Sequence, residues 1–108
     1  MSYLSPIEVN TLIHQVGSNT LVALAIGVEG VVNPQDWANG SVRPNDQQME
    51  RLAALQDGMR RLTTELGPHK AREIMRDDTS LVHDLSRGLL ERFHDSIQDH
   101  VVHAVRGR

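Results

Sequence analysis

Apolar residues recur along this chain mostly at the spacing of a helix. Positions three and four residues apart lie on one face of an α-helix, so such runs predict amphipathic helices. The first run is Val9, Leu12, Ile13 and Val16. A second run lies on a longer stretch that ends at Leu66, and a third extends from about Leu81 to Val105. The pattern therefore predicts an all-α fold.

Capping residues and helix breakers predict where the first helices begin and end. Ser5-Pro6-Ile7-Glu8 matches a capping box with proline at the first helical position, and Gly17 ends that helix. Asn33 and Pro34 open a short helix, which can continue only to Asn39 because Gly40 follows. The only tryptophan, Trp37, lies in this short helix and is expected to anchor it to the core.

The stretch Leu21–Ile26, with the sequence LVALAI, is compatible with two structures. Its length and its branched residues suit a buried strand, whereas Ala23 and Ala25 disfavour one. We expect a buried helix capped by Asn19 or Thr20, because no partner strand is evident. The following Gly27-Val28-Glu29-Gly30 is then a turn, since glycine tolerates a positive φ.

Two further helices are predicted in the middle of the chain. Pro44 and Asn45-Asp46 precede the longest helix, which ends at about Leu66 before Gly67-Pro68. A short helix from about Pro68 to Met75 follows.

The third apolar run predicts one continuous helix from about Leu81 to Val105. At about 1.5 Å per residue this helix is about 37 Å long. A body of 108 residues can hardly cover that length, so we expect an exposed tip or a second copy of the chain over it. This reasoning predicts a helical domain over residues 1–76, an interaction or dimerisation helix over residues 77–108, and a homodimer.

The composition excludes several kinds of protein. The chain has no cysteine, which rules out disulfides and thiolate metal sites and permits a cytoplasmic location, the one we expect. Its first ten residues lack the basic and apolar regions of a signal peptide, and no run of apolar residues predicts a membrane span. No motif for a catalytic triad or a phosphate-binding loop is present, so we predict neither an enzyme nor a cofactor.

Charge is distributed unevenly along the chain. Residues 1–50 carry five acids and one base, residues 51–76 carry three acids and six bases, and residues 77–108 carry six acids and four bases. The positive charge thus follows the short helix that contains Trp37 and does not lie on it.

A familiar motif connects these elements. Gly27-Val28, Trp37-Ala38-Asn39-Gly40 and Pro44, followed by Met49, Leu52, Ala53 and Leu55, resemble the signature G-V-S…W-x-x-G-x-x-x-P…L-x-x-L-A of Xre-type, lambda-repressor-like helix-turn-helix domains. The continuation from Leu62 to Met75 is similar to the middle of the Xre-like antitoxins, which join a helix-turn-helix to a small toxin-binding part. The resemblance covers roughly residues 9–76.

This resemblance implies a small DNA-binding transcriptional regulator, of which an antitoxin-type autorepressor is one form. Its partners would be DNA and, for an antitoxin, a toxin protein. The residues expected at the DNA are Asn33, Gln35 and Asn39 at base edges, with Arg43 and Asn45 at phosphates.

Two alternatives remain open. Glu29 stands where the family has serine, and Pro34 falls where the family's recognition helix is already running. The scaffold could therefore be a protein-interaction module, such as an antitoxin, adaptor or phage-type inhibitor, that does not read DNA. A metal site on the last predicted helix is the weaker alternative, since histidine and aspartate are also common on solvated helix faces. Its candidate ligands would be His83, Asp84, His94, Asp95, Asp99, His100 and His103.

Overall fold

The structure, a computed structural model, describes residues 4–27 and 33–106 and consists of α-helices with no strand in those ranges. This confirms the predicted all-α fold. The helices are α1 (Pro6–Val16), α2 (Asn19–Ile26), α3 (Pro34–Ala38), α4 (Asp46–Leu66), α5 (Pro68–Asp77), α6 (Thr79–Ser86) and α7 (Leu90–Arg106). No helix of the described ranges is both long enough and apolar enough to cross a membrane.

Local capping forms the helix starts much as the sequence predicts. At α1, the Ser5 hydroxyl accepts the Glu8 amide while the Glu8 carboxylate accepts the Ser5 amide. The stretch 21–26 is helical, so the strand alternative is wrong, and its cap is Ser18 instead of Asn19 or Thr20. The predicted turn at residues 27–30 lies, after Gly27, outside the described residues.

Helix α4 is the centre of the fold, and α1, α2, α5, α6 and α7 all pack against it. Leu52, Leu55, Met59 and Leu62 on its inner face are completely buried. The predicted boundary near residue 76 lies at the end of α5, and residues from both sides of it, such as Leu62 and Phe93, share one hydrophobic core. The division into two domains therefore stays a prediction.

The single helix predicted from Leu81 to Val105 is wrong, because α6 ends at Ser86 and α7 begins at Leu90. Gly88 lies between them with φ of 73°, a left-handed conformation that suits glycine. The Leu89 amide then bonds the Asp84 carbonyl at 2.9 Å, which closes the end of α6. The break lets α6 pack on α2 while α7 packs on α4.

The chain itself covers most of the apolar stripe of α7. The side chains of Phe93 and Ile97 are at most 1% exposed, and both lie against Gly58 of α4. A Cβ at Gly58 would come within 2.7 Å of the Phe93 ring, so only glycine fits there without a shift. The chain therefore covers this stripe itself, and the tip of α7 beyond it is exposed as expected, with Val105 50% exposed. A homodimer stays a prediction. The length of a single helix from Leu81 to Val105, which suggested it, no longer supports it, because that helix is divided into α6 and α7.

Two arginines from the second half of the chain close the ends of the first two helices. Arg51 is buried, and its Nη1 donates to the Ile26 carbonyl of α2 at 2.7 Å. Arg72 Nη2 donates to the His14 carbonyl of α1 at 3.1 Å. Helix C-termini carry unpaired carbonyls and partial negative charge, so both contacts are favourable.

Candidate nucleic-acid interface

Helix α3, the predicted recognition helix, is only five residues long and rests firmly on the core. Asn33 caps it, and Pro34 occupies its first turn, so proline starts the helix and does not interrupt it. Trp37 is 4% exposed, which confirms the predicted anchor. At about 1.5 Å per residue, α3 spans about 7 Å, enough for roughly two outward side chains.

The loop after α3 folds back onto that helix. The amides of Ser41 and Val42 both donate to the Asp36 carbonyl, at 3.0 and 3.2 Å, and Gly40 takes a φ of 77°. Positive φ is accessible to glycine at little cost, which permits this reversal. The loop therefore places Arg43 beside α3, where Arg43 and Trp37 line the same cavity.

The five predicted site residues occupy one surface stretch, but they are not equivalent. Asn33, Asn39, Arg43 and Asn45 are exposed and Gln35 is half-buried. The Asn33 Oδ1 accepts both the Gln35 amide and the side-chain amide of Asn19. A bidentate contact to adenine needs the amide oxygen as well as the nitrogen, so Asn33 would have to give up its cap to read a base.

Asn45 caps the start of α4. Its Oδ1 accepts the Gln48 amide at 2.8 Å, and its own amide donates to Gln48 Oε1 at 2.8 Å. This reciprocal capping box uses the side-chain oxygen and the backbone amide of Asn45, and the side-chain nitrogen, which could donate to a phosphate, takes no part in it. Of the five predicted residues, Asn33 and Asn45 therefore cap helices with their side chains.

The six basic residues of positions 51–76 contact other parts of the chain. Arg51 and Arg72 close helix ends, as described above. The others contact neighbouring polar residues: Arg60 with Asp57, Lys70 with Glu73, Arg76 with Asp77, and Arg61 with Gln98. Arg43, in contrast, lies beside α3, where it lines a cavity with Trp37.

Sequence reasoning missed the role of Arg51, although a signal for it exists. Arg51 precedes Leu55 and Gly58 by four and seven positions, which places it on the buried face of α4. Its Nη2 also lies close to Gly88, since a Cβ added to Gly88 would be 3.4 Å from that nitrogen. Arg51 thus joins α4 to the ends of α2 and α6.

His100 and Asp78, in the C-terminal half of the chain, form a close pair. His100 Nε2 lies 2.7 Å from Asp78 Oδ2, and Asp78 also accepts the Ser80 amide to cap α6. Burial raises the pKa of Asp78, but the hydrogen bonds from Ser80 and His100 outweigh burial and lower that pKa below its ordinary value. Within residues 4–27 and 33–106, no three histidine, aspartate or glutamate side chains converge as metal ligands would.

Comparison of the chain with models of protein families, with curated proteins and with solved structures finds no match to any of them.

Proposed function

We propose that the protein is a small DNA-binding transcriptional regulator of the helix-turn-helix type. The observation that carries this proposal is the placement of Arg43 beside α3 by the loop bonded to the Asp36 carbonyl. The order of α2, α3 and the long α4, with Pro44 between the last two, adds support, because it follows the motif quoted above.

In this proposal, two side chains read bases and one contacts the backbone. Gln35 and Asn39 carry amides that can pair bidentately with adenine in the major groove. Arg43 provides the charged contact to a phosphate, which fixes the register of the protein on the duplex. Asn33 and Asn45 act indirectly, because their caps hold the ends of α3 and α4 in place.

The charge of the surface sets the expected salt dependence. One phosphate contact contributes a slope of about −0.9 to log K against log salt concentration, so Arg43 alone predicts a roughly fourfold loss for a fourfold rise in salt. The exposed acids Asp46 and Glu50 at the start of α4 add no attraction. Affinity must therefore come mostly from base contacts and from any second copy on the DNA.

The test is binding of the purified protein to the DNA upstream of its own gene at two salt concentrations. Gln35→Ala and Arg43→Ala should both weaken specific binding, and Arg43→Ala should also flatten the salt slope by about one unit. Arg92→Ala is the matched control, since Arg92 is exposed on α7, away from α3. Absence of binding at low salt, with the helical circular dichroism spectrum intact, would exclude the regulator.

A second candidate function is a protein-interaction module that does not read DNA. Its support is the exposed apolar side chains on α1 and in the loop after α3, where Ile7 is 78% exposed and Val42 is 51% exposed. Exposed apolar side chains of this size are common at contact surfaces when they cluster. The test is binding of a protein partner to three variants. If Ile7→Asp and Val42→Asp both lose the partner while Arg43→Ala retains it, this candidate is favoured over DNA binding.

A further inference from the structure

The cavity beside α3 has the composition of a binding site for a small amphipathic acid. Its volume is about 320 Å³, within the range of small-molecule sites, and it lies between the start of α1, α3, the loop 40–45 and the start of α4. Its walls are mostly apolar, and Arg43 is its charged residue. The residues that matter to the argument are Leu4, Pro6, Trp37, Val42, Arg43 and Met49.

The floor of this cavity consists of buried residues of the hydrophobic core. Leu4, Trp37 and Met49 are 6%, 4% and 5% exposed, and the Leu4 amide lies 3.3 Å from Met49 Sδ. A preformed apolar floor spares a ligand the cost of ordering the site. Val42, at 51% exposed, stands at the mouth, where a bound alkyl chain would cover it.

The rim determines which charge the ligand carries. Arginine presents a planar fork of donors that matches a carboxylate bidentately, and a charge-assisted pair of this kind is stronger than a neutral hydrogen bond. Among the residues that line the cavity, Arg43 is the charged one, so an anionic head is favoured over a neutral or cationic one. The apolar walls favour a short hydrocarbon tail on that head.

We propose that this cavity binds a small aliphatic carboxylate, with its tail over Trp37 and Met49 and its carboxylate on Arg43. This inference goes beyond the proposed regulatory function and does not depend on it. If the DNA surface is also correct, the ligand and a phosphate compete for Arg43.

Trp37 makes the proposal directly measurable, because it is the only tryptophan and lines the cavity. Hexanoate is the probe, and hexanamide, with the same chain but no charge, is its neutral counterpart. Hexanoate should change the Trp37 emission saturably at up to about 20 mM, a range suited to a weak fragment-sized ligand. Hexanamide should bind at least about tenfold more weakly, because it lacks the charge-assisted contact.

Two variants and one control locate the site. Arg43→Gln should bring the affinity for hexanoate down to that for hexanamide. Val42→Asp should weaken hexanoate binding by placing a carboxylate at the mouth, and folding should persist because Val42 is half exposed. Arg92→Gln, on α7, should behave as wild type.

A second readout separates binding in the cavity from nonspecific quenching of tryptophan. In amide-resolved NMR spectra, hexanoate should shift the signals of residues around Trp37, Val42 and Met49 and leave those of α7 unchanged. Equal affinity for hexanoate and hexanamide, unchanged hexanoate binding in Arg43→Gln, or no saturable response would each overturn the proposal. Because these measurements use the protein without DNA, they remain interpretable whether or not the regulator proposal holds.

Discussion

Replacing Gly58 with alanine tests how tightly α4 and α7 are packed. In a helix interior, alanine is favoured over glycine by about 1 kcal/mol, so propensity alone predicts stabilisation. The added Cβ would, however, lie 2.7 Å from Phe93 Cζ and 2.8 Å from Phe93 Cε1, closer than carbon atoms can approach. Overpacking of this kind costs about 1–3 kcal/mol. The net expectation for Gly58→Ala is a loss of roughly 0–2 kcal/mol of unfolding free energy.

The decisive comparison is the same substitution in a Phe93→Leu background. The smaller side chain removes the ring atoms that the new Cβ would meet, so Gly58→Ala should become stabilising there by up to about 1 kcal/mol. Thermal and urea unfolding of the four proteins in the cycle measure this change of sign. A change of 1 kcal/mol moves Tm by roughly 4–8 °C in a domain of about this size, which is easily resolved.

Two outcomes would refute the packing argument. If Gly58→Ala raised the stability of the wild-type chain as much as that of Phe93→Leu, the two residues would not be in contact. If Gly58→Ala destabilised both backgrounds equally, another neighbour would cause the loss. Asp57→Ala serves as the control, because Asp57 is exposed on the same turn of α4 and its salt bridge to Arg60 is a surface pair.

Three further substitutions test other contacts of the fold. Arg51→Met keeps the buried stem but removes the donor to the Ile26 carbonyl, so urea unfolding should show a loss of about 1–3 kcal/mol. Ser5→Ala removes the capping box of α1 and should cost about 1 kcal/mol in the same assay. The folded-state pKa of Asp78 is lowered, so its contribution to stability is present above the unfolded pKa of about 3.9 and is lost as pH falls through the folded value. Acid unfolding curves should therefore be shallower for Asp78→Asn than for wild type, and an unchanged acid slope would contradict that role.

Local chemistry could be predicted from the sequence because its contacts span only a few residues. The capping box predicted at Ser5 joins positions only three apart in the sequence. The same holds for Asn33 and Pro34 at the start of α3. The box between Asn45 and Gln48 is equally local, but it was not predicted, because Asn45 was assigned to a phosphate. The helical fold class follows from the spacing of apolar residues, which reflects the helix period itself.

The candidate site could be predicted only in part. The exposure of Asn39 and Arg43 follows from the glycine and proline around them, which place both in a loop. The shared cavity of Arg43 and Trp37 does not follow, because it needs the start of α1 and the start of α4 to meet beside α3. The hydrogen bond from the Asn19 side-chain amide to Asn33 Oδ1 does not follow either, because the two residues are fourteen positions apart.

The end of the chain shows most clearly what the sequence determined and what the tertiary structure decided. The apolar stripe from Leu81 onward correctly indicated helix and a buried face. It did not reveal the break at Gly88, because one glycine costs a helix only about 1 kcal/mol and an unbroken helix fits the same pattern. The break follows from packing: α6 lies on α2, α7 lies on α4, and Arg51 occupies the space beneath the turn between them. Those contacts join residues far apart in the chain, so only the tertiary structure fixes them.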